Sequence, residues 1–271
     1  MWRVIGSSVT GSSHTAECSV CQDSHARKIV SHRANQVLLL ACSDGAGSAP
    51  KSNVGSRVAC DEAIVAAEDI FCCCDASSWD REALLTIARR VHNALLRTAT
   101  DNQHSIEELH CTLLFAAIAA DRAAFFQIGD GAIVVLTQAV YTPVFWPQSG
   151  EFAGTTYFIT FADFERYLEC QFIEESIGDV ALFTDGIERL VLDFRGKNAH
   201  QPFFSQMMDR LLMSTVPERL EVVLGQYLDS PAVNDRTDDD KTLILATRRD
   251  CRASNPDGGG QTSSPAVDAD A

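Results

Sequence analysis

The sequence is short of positive charge: Lys and Arg together number 22 against 37 Asp and Glu, a formal net charge of −15 over 271 residues. Nucleic acid and anionic lipid are gripped through Lys and Arg, so this balance argues against both as partners. Apolar runs are short too. None approaches the roughly 20 residues that span a bilayer, and Met1 to Ser13 lacks the apolar stretch of about 7–15 residues that marks a secretory signal. The expectation is a cytoplasmic protein with no membrane span. Ten cysteines are present, and in a reducing compartment they are free thiols. Cys72, Cys73 and Cys74 are adjacent, which suits no disulfide framework, and Cys42, Cys60, Cys111 and Cys170 lie in apolar stretches where a buried thiol is the default.

Several nucleophile and metal signatures are missing as well. No HExxH or GxSxG string occurs. Cys18 and Cys21 make a lone Cys-x-x-Cys, half a zinc site with no second pair. Cys21 and Arg27 have the Cys-x₅-Arg spacing of cysteine phosphatases. The intervening loop, however, contains Asp23 and no glycine, and a carboxylate there repels thiolate and phosphate alike.

What is present is a core: 46% of the residues are hydrophobic, enough for one sizeable domain. Runs rich in β-branched and aromatic residues predict strands at Gln36–Cys42, Thr112–Ala119, Ala124–Ile128, Ala132–Thr137, Thr155–Phe161, Val180–Thr184 and Thr242–Thr247. Ala124–Thr137 reads as an antiparallel hairpin turning at Asp130–Gly131, because Asp-Gly is a strong hairpin signal. Helical periodicity predicts Val54–Phe71, Trp79–Thr98 with Ser77 and Ser78 as N-caps, Phe203–Met213, and Pro217–Leu228 with Pro217 at its first position. Strands and helices come in blocks, which favours an α+β fold with mainly antiparallel sheets. This domain is expected over residues 1–249. The segment 250–271, rich in Gly, Ser, Pro and Asp, is expected to be a disordered tail.

The informative pattern is aspartate at strand ends. Asp44–Gly45, Asp130–Gly131 and Asp185–Gly186 each close an apolar run, and Asp238–Asp239–Asp240 opens another. Carboxylates brought together this way repel one another unless a cation intervenes, and hard oxygen ligands select Mg²⁺ or Mn²⁺. A receiver domain also gathers aspartates around Mg²⁺, but it needs alternating βαβ units that are not seen here.

Gln22–Asp23, SDGAGSAPKSNVGSRVA from Ser43, GDGAIVV from Gly129, LFTDGIE from Leu182 and DDKTLIL from Asp239 occur in an order that resembles the protein phosphatase 2C family of metal-dependent Ser/Thr phosphatases, its bacterial members above all. The resemblance spans most of residues 14–246. It implies a four-layer α-β-β-α sandwich and two Mn²⁺ or Mg²⁺ ions, with a third more weakly held. It also implies that Asp44 bridges the two ions, that the Gly45 carbonyl binds the second, and that Asp185 and Asp239 bind the first. Asp23 would hold metal-bound water, and Asp130 would hold the third ion. Catalysis would run through Asp44, Asp185 and Asp239 by way of a water or hydroxide that the two ions activate.

The implied substrate is a phosphorylated Ser/Thr protein, with a cognate kinase or its target as a further partner, and the implied state is a monomer. Within the acidic triplet Asp239 is the expected ligand, while Asp240 is expected to stay in solvent and to tolerate Asn. The sequence departs from the family in three places. Gln22 replaces a usual glutamate, Ala46 stands where several members have a histidine, and Cys18 stands where a phosphate-binding arginine is expected. His14, Arg27 and Arg33 are the candidates to replace that arginine. These departures suit a rival reading, a catalytically weak phosphatase fold that binds a phosphoprotein or signalling partner; the retained aspartates favour catalysis.

Overall fold

In the computed structural model, residues 1–249 are described apart from 17, 33–34, 74–78 and 151–155. The strands are β1 (Arg3–Val9), β2 (Ser24–His32), β3 (Asn35–Ser43), β4 (Leu113–Ile118), β5 (Ala123–Ile128), β6 (Ala132–Thr137), β7 (Val140–Pro143), β8 (Glu169–Ile173), β9 (Asp179–Phe183), the two-residue β10 (Leu192–Asp193) and β11 (Asn198–Ala199), and β12 (Lys241–Thr247). The helices are α1 (Ser12–Ala16), α2 (Ser52–Cys73), α3 (Arg81–Asp101), α4 (Glu188–Val191), α5 (Gln201–Met213), α6 (Pro217–Leu228) and α7 (Pro231–Asn234).

Two five-stranded antiparallel sheets face each other, ordered β1-β12-β9-β6-β7 and β2-β3-β4-β5-β8. Between them lies an apolar layer in which Leu38, Leu40, Leu114, Ala116 and Phe125 meet Ile133, Val135, Val180, Leu182 and Ile244. Alternate residues of the same strands point outward, where a polar side chain would ordinarily face water. Here Leu39, Ala41 and Phe115 instead pack on Ala63, Ala67, Leu84 and Val91 of α2 and α3. Ala181, Phe183 and Leu243 likewise pack on Phe204, Met208 and Leu224 of α5 and α6. Covering both faces explains why β4, β5, β9 and β12 are buried along their whole length and mostly apolar rather than alternating, with polar residues only toward their ends. The result is the expected α-β-β-α sandwich.

Some local expectations are corrected. Residues 156–161 of the expected strand Thr155–Phe161 form loop and turn. Helix α3 starts at Arg81, and its N-cap is Asp80, which accepts from the Ala83 N–H at 2.9 Å; Ser77 and Ser78 lie outside the described residues, as do Cys74, Arg33 and the expected tail 250–271. The expected hairpin is not one. β5 and β6 belong to different sheets, and the chain crosses between them at residues 129–131. Gly129 makes that corner with φ +112°, a left-handed conformation that side chains resist. β1, β2 and β8 carry no clear strand signal in the sequence, because each mixes polar residues into its run. Among the described residues, no helix is long and apolar enough to cross a membrane.

Candidate metal centre

One end of the sandwich collects the acidic residues. Antiparallel pairing sets the start of β2 beside the end of β3, with Ser24 opposite Ser43. It sets Phe183 at the end of β9 opposite Leu243 in β12 and opposite Ala132 in β6. Asp23, Asp44, Asp130, Asp185 and Asp239 therefore leave or enter their strands at the same end. A carboxylate oxygen from each of Asp44, Asp130 and Asp185 lies within 4.8 Å of the others, bringing both sheets into one cluster.

Each position is fixed by the chain around it. The Asp44 N–H donates to the Thr112 hydroxyl at 2.9 Å, and the Thr112 N–H donates back to the Asp44 carbonyl at 2.8 Å. Gly45 bridges to Cys111 across the same gap. Behind the cluster, buried Asp23 accepts the Thr184 hydroxyl at 2.7 Å. Gly186 lies so close to the acidic triplet that a Cβ there would sit 1.9 Å from the Asp240 carbonyl oxygen. Asp239 is at the exposed rim, outside the three-residue group but near enough that its charge acts on Asp44, Asp130 and Asp185.

Asp240 departs from expectation. It is 2% exposed. Its carboxylate accepts the Gly11 N–H at 2.6 Å and the Gln22 N–H at 2.5 Å, and His14 Nδ1 is 2.9 Å away. It ties the segment before β2 to the start of β12, an anchoring role that strand alternation alone could not reveal. His14 and Arg27 are both committed elsewhere than to an open phosphate site, His14 to Asp240 and Arg27 to Glu221 on α6. Thr112, Thr184 and Asp240 are thus structural supports the sequence did not announce, and Glu188, three residues past Asp185, is a further acidic neighbour beside the five aspartates. Its one signal was its place in LFTDGIE.

The electrostatics are those of an acidic site set up for a cation. Burial, then the charges of Asp23, Asp185, Asp130 and Asp239, raise the Asp44 carboxyl well above the usual range. Burial pushes Asp185 up to about 8 and Asp23 up to about 7, with neighbouring carboxylates adding to both. Glu188 is pushed up to about 7 by burial and by Asp130. One oxygen each of Asp23 and Asp130 is buried without a hydrogen-bond partner. Two unpartnered buried carboxylate oxygens among neighbours of the same sign suit a hard divalent cation. The Cys21 thiol is pushed far above its ordinary range by burial and by Asp23 and Asp240, the reverse of what a thiolate nucleophile needs.

Comparison with known proteins gives one consistent set. The family model described as "Protein phosphatase 2C" matches residues 10–225. "Serine/threonine-protein phosphatase 3" of Escherichia coli strain K12 is 36% identical over 253 residues, covering 90% of this chain and 98% of its own. The serine/threonine phosphatase Stp1 of Staphylococcus aureus superposes with a TM-score of 0.62 at 16% identity, covering 92% of this chain and 96% of that one. RsbX, solved in complex with magnesium, superposes with a TM-score of 0.54 at 17% identity, over 91% of this chain and 94% of its own. These two structural likenesses speak to the fold.

Proposed function

The chain belongs to the protein phosphatase 2C family, and from that premise we propose how its site works. It is a serine/threonine phosphatase, a hydrolase acting on phosphorylated protein, and its buried acidic cluster is fit to hold divalent metal. The observation that carries the reading is the meeting of Asp44, Asp130 and Asp185 within 4.8 Å at the junction of the two sheets.

We assign two Mn²⁺ or Mg²⁺ ions to Asp44, the Gly45 carbonyl, Asp185 and Asp239, with Asp130 toward a third ion and Asp23 toward metal-bound water. When bound, the ions supply activated water and neutralise phosphoryl charge. The chain's own part is to hold the oxygens in place. Thr112 fixes the backbone of Asp44, and Thr184 orients Asp23 across the two sheets. Because Asp44 and Asp185 are raised by burial and by like charge, they release protons as cations arrive, which couples metal loading to pH. No protein nucleophile is required, consistent with the suppressed Cys21 thiol.

Residues 1–249 are the catalytic domain in this reading, acting as a cytoplasmic monomer on a phosphoprotein, a kinase or its target among the candidates. The test is calorimetric titration of chelator-stripped protein with Mg²⁺ and with Mn²⁺, alongside phosphate release from a phosphothreonine peptide. Binding of at least two ions and hydrolysis dependent on them is the expected result. Ion binding without hydrolysis would favour the rival, a fold that binds phosphoprotein without turning it over.

A further inference from the structure

Beside the metal centre is a cavity of about 270 Å³ whose lining includes Asp185, Glu188, Arg189, Arg236, Asp238 and Asp239. Two of these, Asp185 and Asp239, are assigned above as metal ligands, so the cavity borders the proposed metal centre. Arg189 lies four residues after Asp185, and Arg236 three residues before Asp239. The same two strand ends that carry the acidic ligands therefore carry one guanidinium each.

What sets these two arginines apart is their place on the cavity wall beside the acidic cluster. Arg27, Arg89, Arg90, Arg248 and Arg249 are engaged with carboxylates or backbone carbonyls. Arg189 and Arg236 form no salt bridge among the described residues, although the net charge of −15 makes carboxylates plentiful. Both are exposed, at the rim rather than the floor. A guanidinium presents a planar fork of donors that matches a carboxylate or a phosphate. At the rim it reaches what flanks the reacting group and not the group itself.

We propose that Arg189 and Arg236 are specificity-determining residues that bind an anionic side chain, a carboxylate or a second phosphate, next to the phosphorylated Ser or Thr of the substrate. The inference rests on the phosphatase reading and names its substrate class: phosphoproteins with an acidic or multiply phosphorylated flank. Asp238 and Glu188 share the cavity wall and repel anions placed away from the guanidiniums, so the flank must reach the arginines. A basic flank would meet like charge at the two guanidiniums and attraction at Asp238 and Glu188, so the arginines are where the two kinds of flank are told apart.

The experiment compares four phosphothreonine peptides that differ only at the flanking positions, which carry glutamate, glutamine, phosphoserine or lysine, using the metal-loaded full chain. The wild type should prefer one or both anionic peptides over the glutamine peptide by about tenfold in kcat/KM, the scale of a charge-assisted contact. Which anionic arm is preferred distinguishes carboxylate from phosphate as the recognised group. The double variant Arg189→Gln/Arg236→Gln should lose the preference through KM, with Mg²⁺ titration unchanged, and Arg189→Glu/Arg236→Glu should reverse it toward a lysine-flanked peptide. A wild type indifferent to the flank, or a Gln variant with the preference intact, overturns the inference while leaving the phosphatase reading in place. Failure of the wild type to hydrolyse any of the peptides overturns that reading and the inference with it.

Discussion

Thr184 donates its hydroxyl to Asp23 at 2.7 Å, joining the end of β9 in one sheet to the residue that precedes β2 in the other. The same hydroxyl oxygen accepts the Thr242 N–H at 3.0 Å, so three strand ends meet at one side chain next to the acidic cluster. All of these groups are buried. Thr184→Val keeps the shape and removes the hydroxyl, leaving a buried N–H and a carboxylate oxygen unmatched. The expected loss is about 1–3 kcal/mol of stability in urea denaturation, with Thr184→Ser restoring most of it. An unchanged midpoint for the valine variant would show that the contact carries no energy.

Asp239→Asn and Asp240→Asn should separate function from folding. At exposed Asp239 the substitution keeps size and removes charge, so turnover should fall severely while the melting temperature in chelator stays within a few degrees. At Asp240, acceptance from the Gly11 and Gln22 N–H groups demands two acceptor oxygens. An amide would turn its NH₂ toward one of those donors, costing about 1–3 kcal/mol as an unsatisfied buried pair. Tolerance of Asn at 240, which the sequence pattern alone suggests, would mean this anchor is dispensable.

Metal stabilisation should depend on pH. Asp23 is held up to about 7 and Asp185 up to about 8 in the folded, metal-free protein, above the roughly 3.9 of an unfolded aspartate. For groups raised on folding, the stability they contribute is present below the unfolded value and lost as pH rises through 7 to 8. A bound cation offsets that loss, and protons compete with it at low pH. The rise in melting temperature on adding Mg²⁺ should therefore be small at pH 5.5 and large at pH 8. Equal increments at both would contradict the assignment of these carboxylates to the ion site.

Much of the layout was readable from residues alone. Apolar runs announced β3, β4, β5, β9 and β12 as strands, and Asp44, Asp130 and Asp185 marked the tips of β3, β5 and β9. Two things were hidden. Hydrophobic patterning cannot tell a hairpin from a crossing between sheets, so Asp130–Gly131 looked like a local turn although it links the two layers. Polar strands such as β1 and β2 show no periodicity, and the supports they deliver were invisible with them. Gly11, Gln22 and His14 reach Asp240 only through tertiary contact, which is why Asp240 looked like a solvent residue.

The most direct measurement is hydrolysis of p-nitrophenyl phosphate by protein stripped with EDTA, before and after adding Mn²⁺. The stripped protein should be inactive and Mn²⁺ should restore turnover, with vanadate, which acts on cysteine phosphatases, having little effect. Undiminished hydrolysis after exhaustive EDTA treatment would contradict a reaction that depends on cations held by Asp44, Asp185 and Asp239.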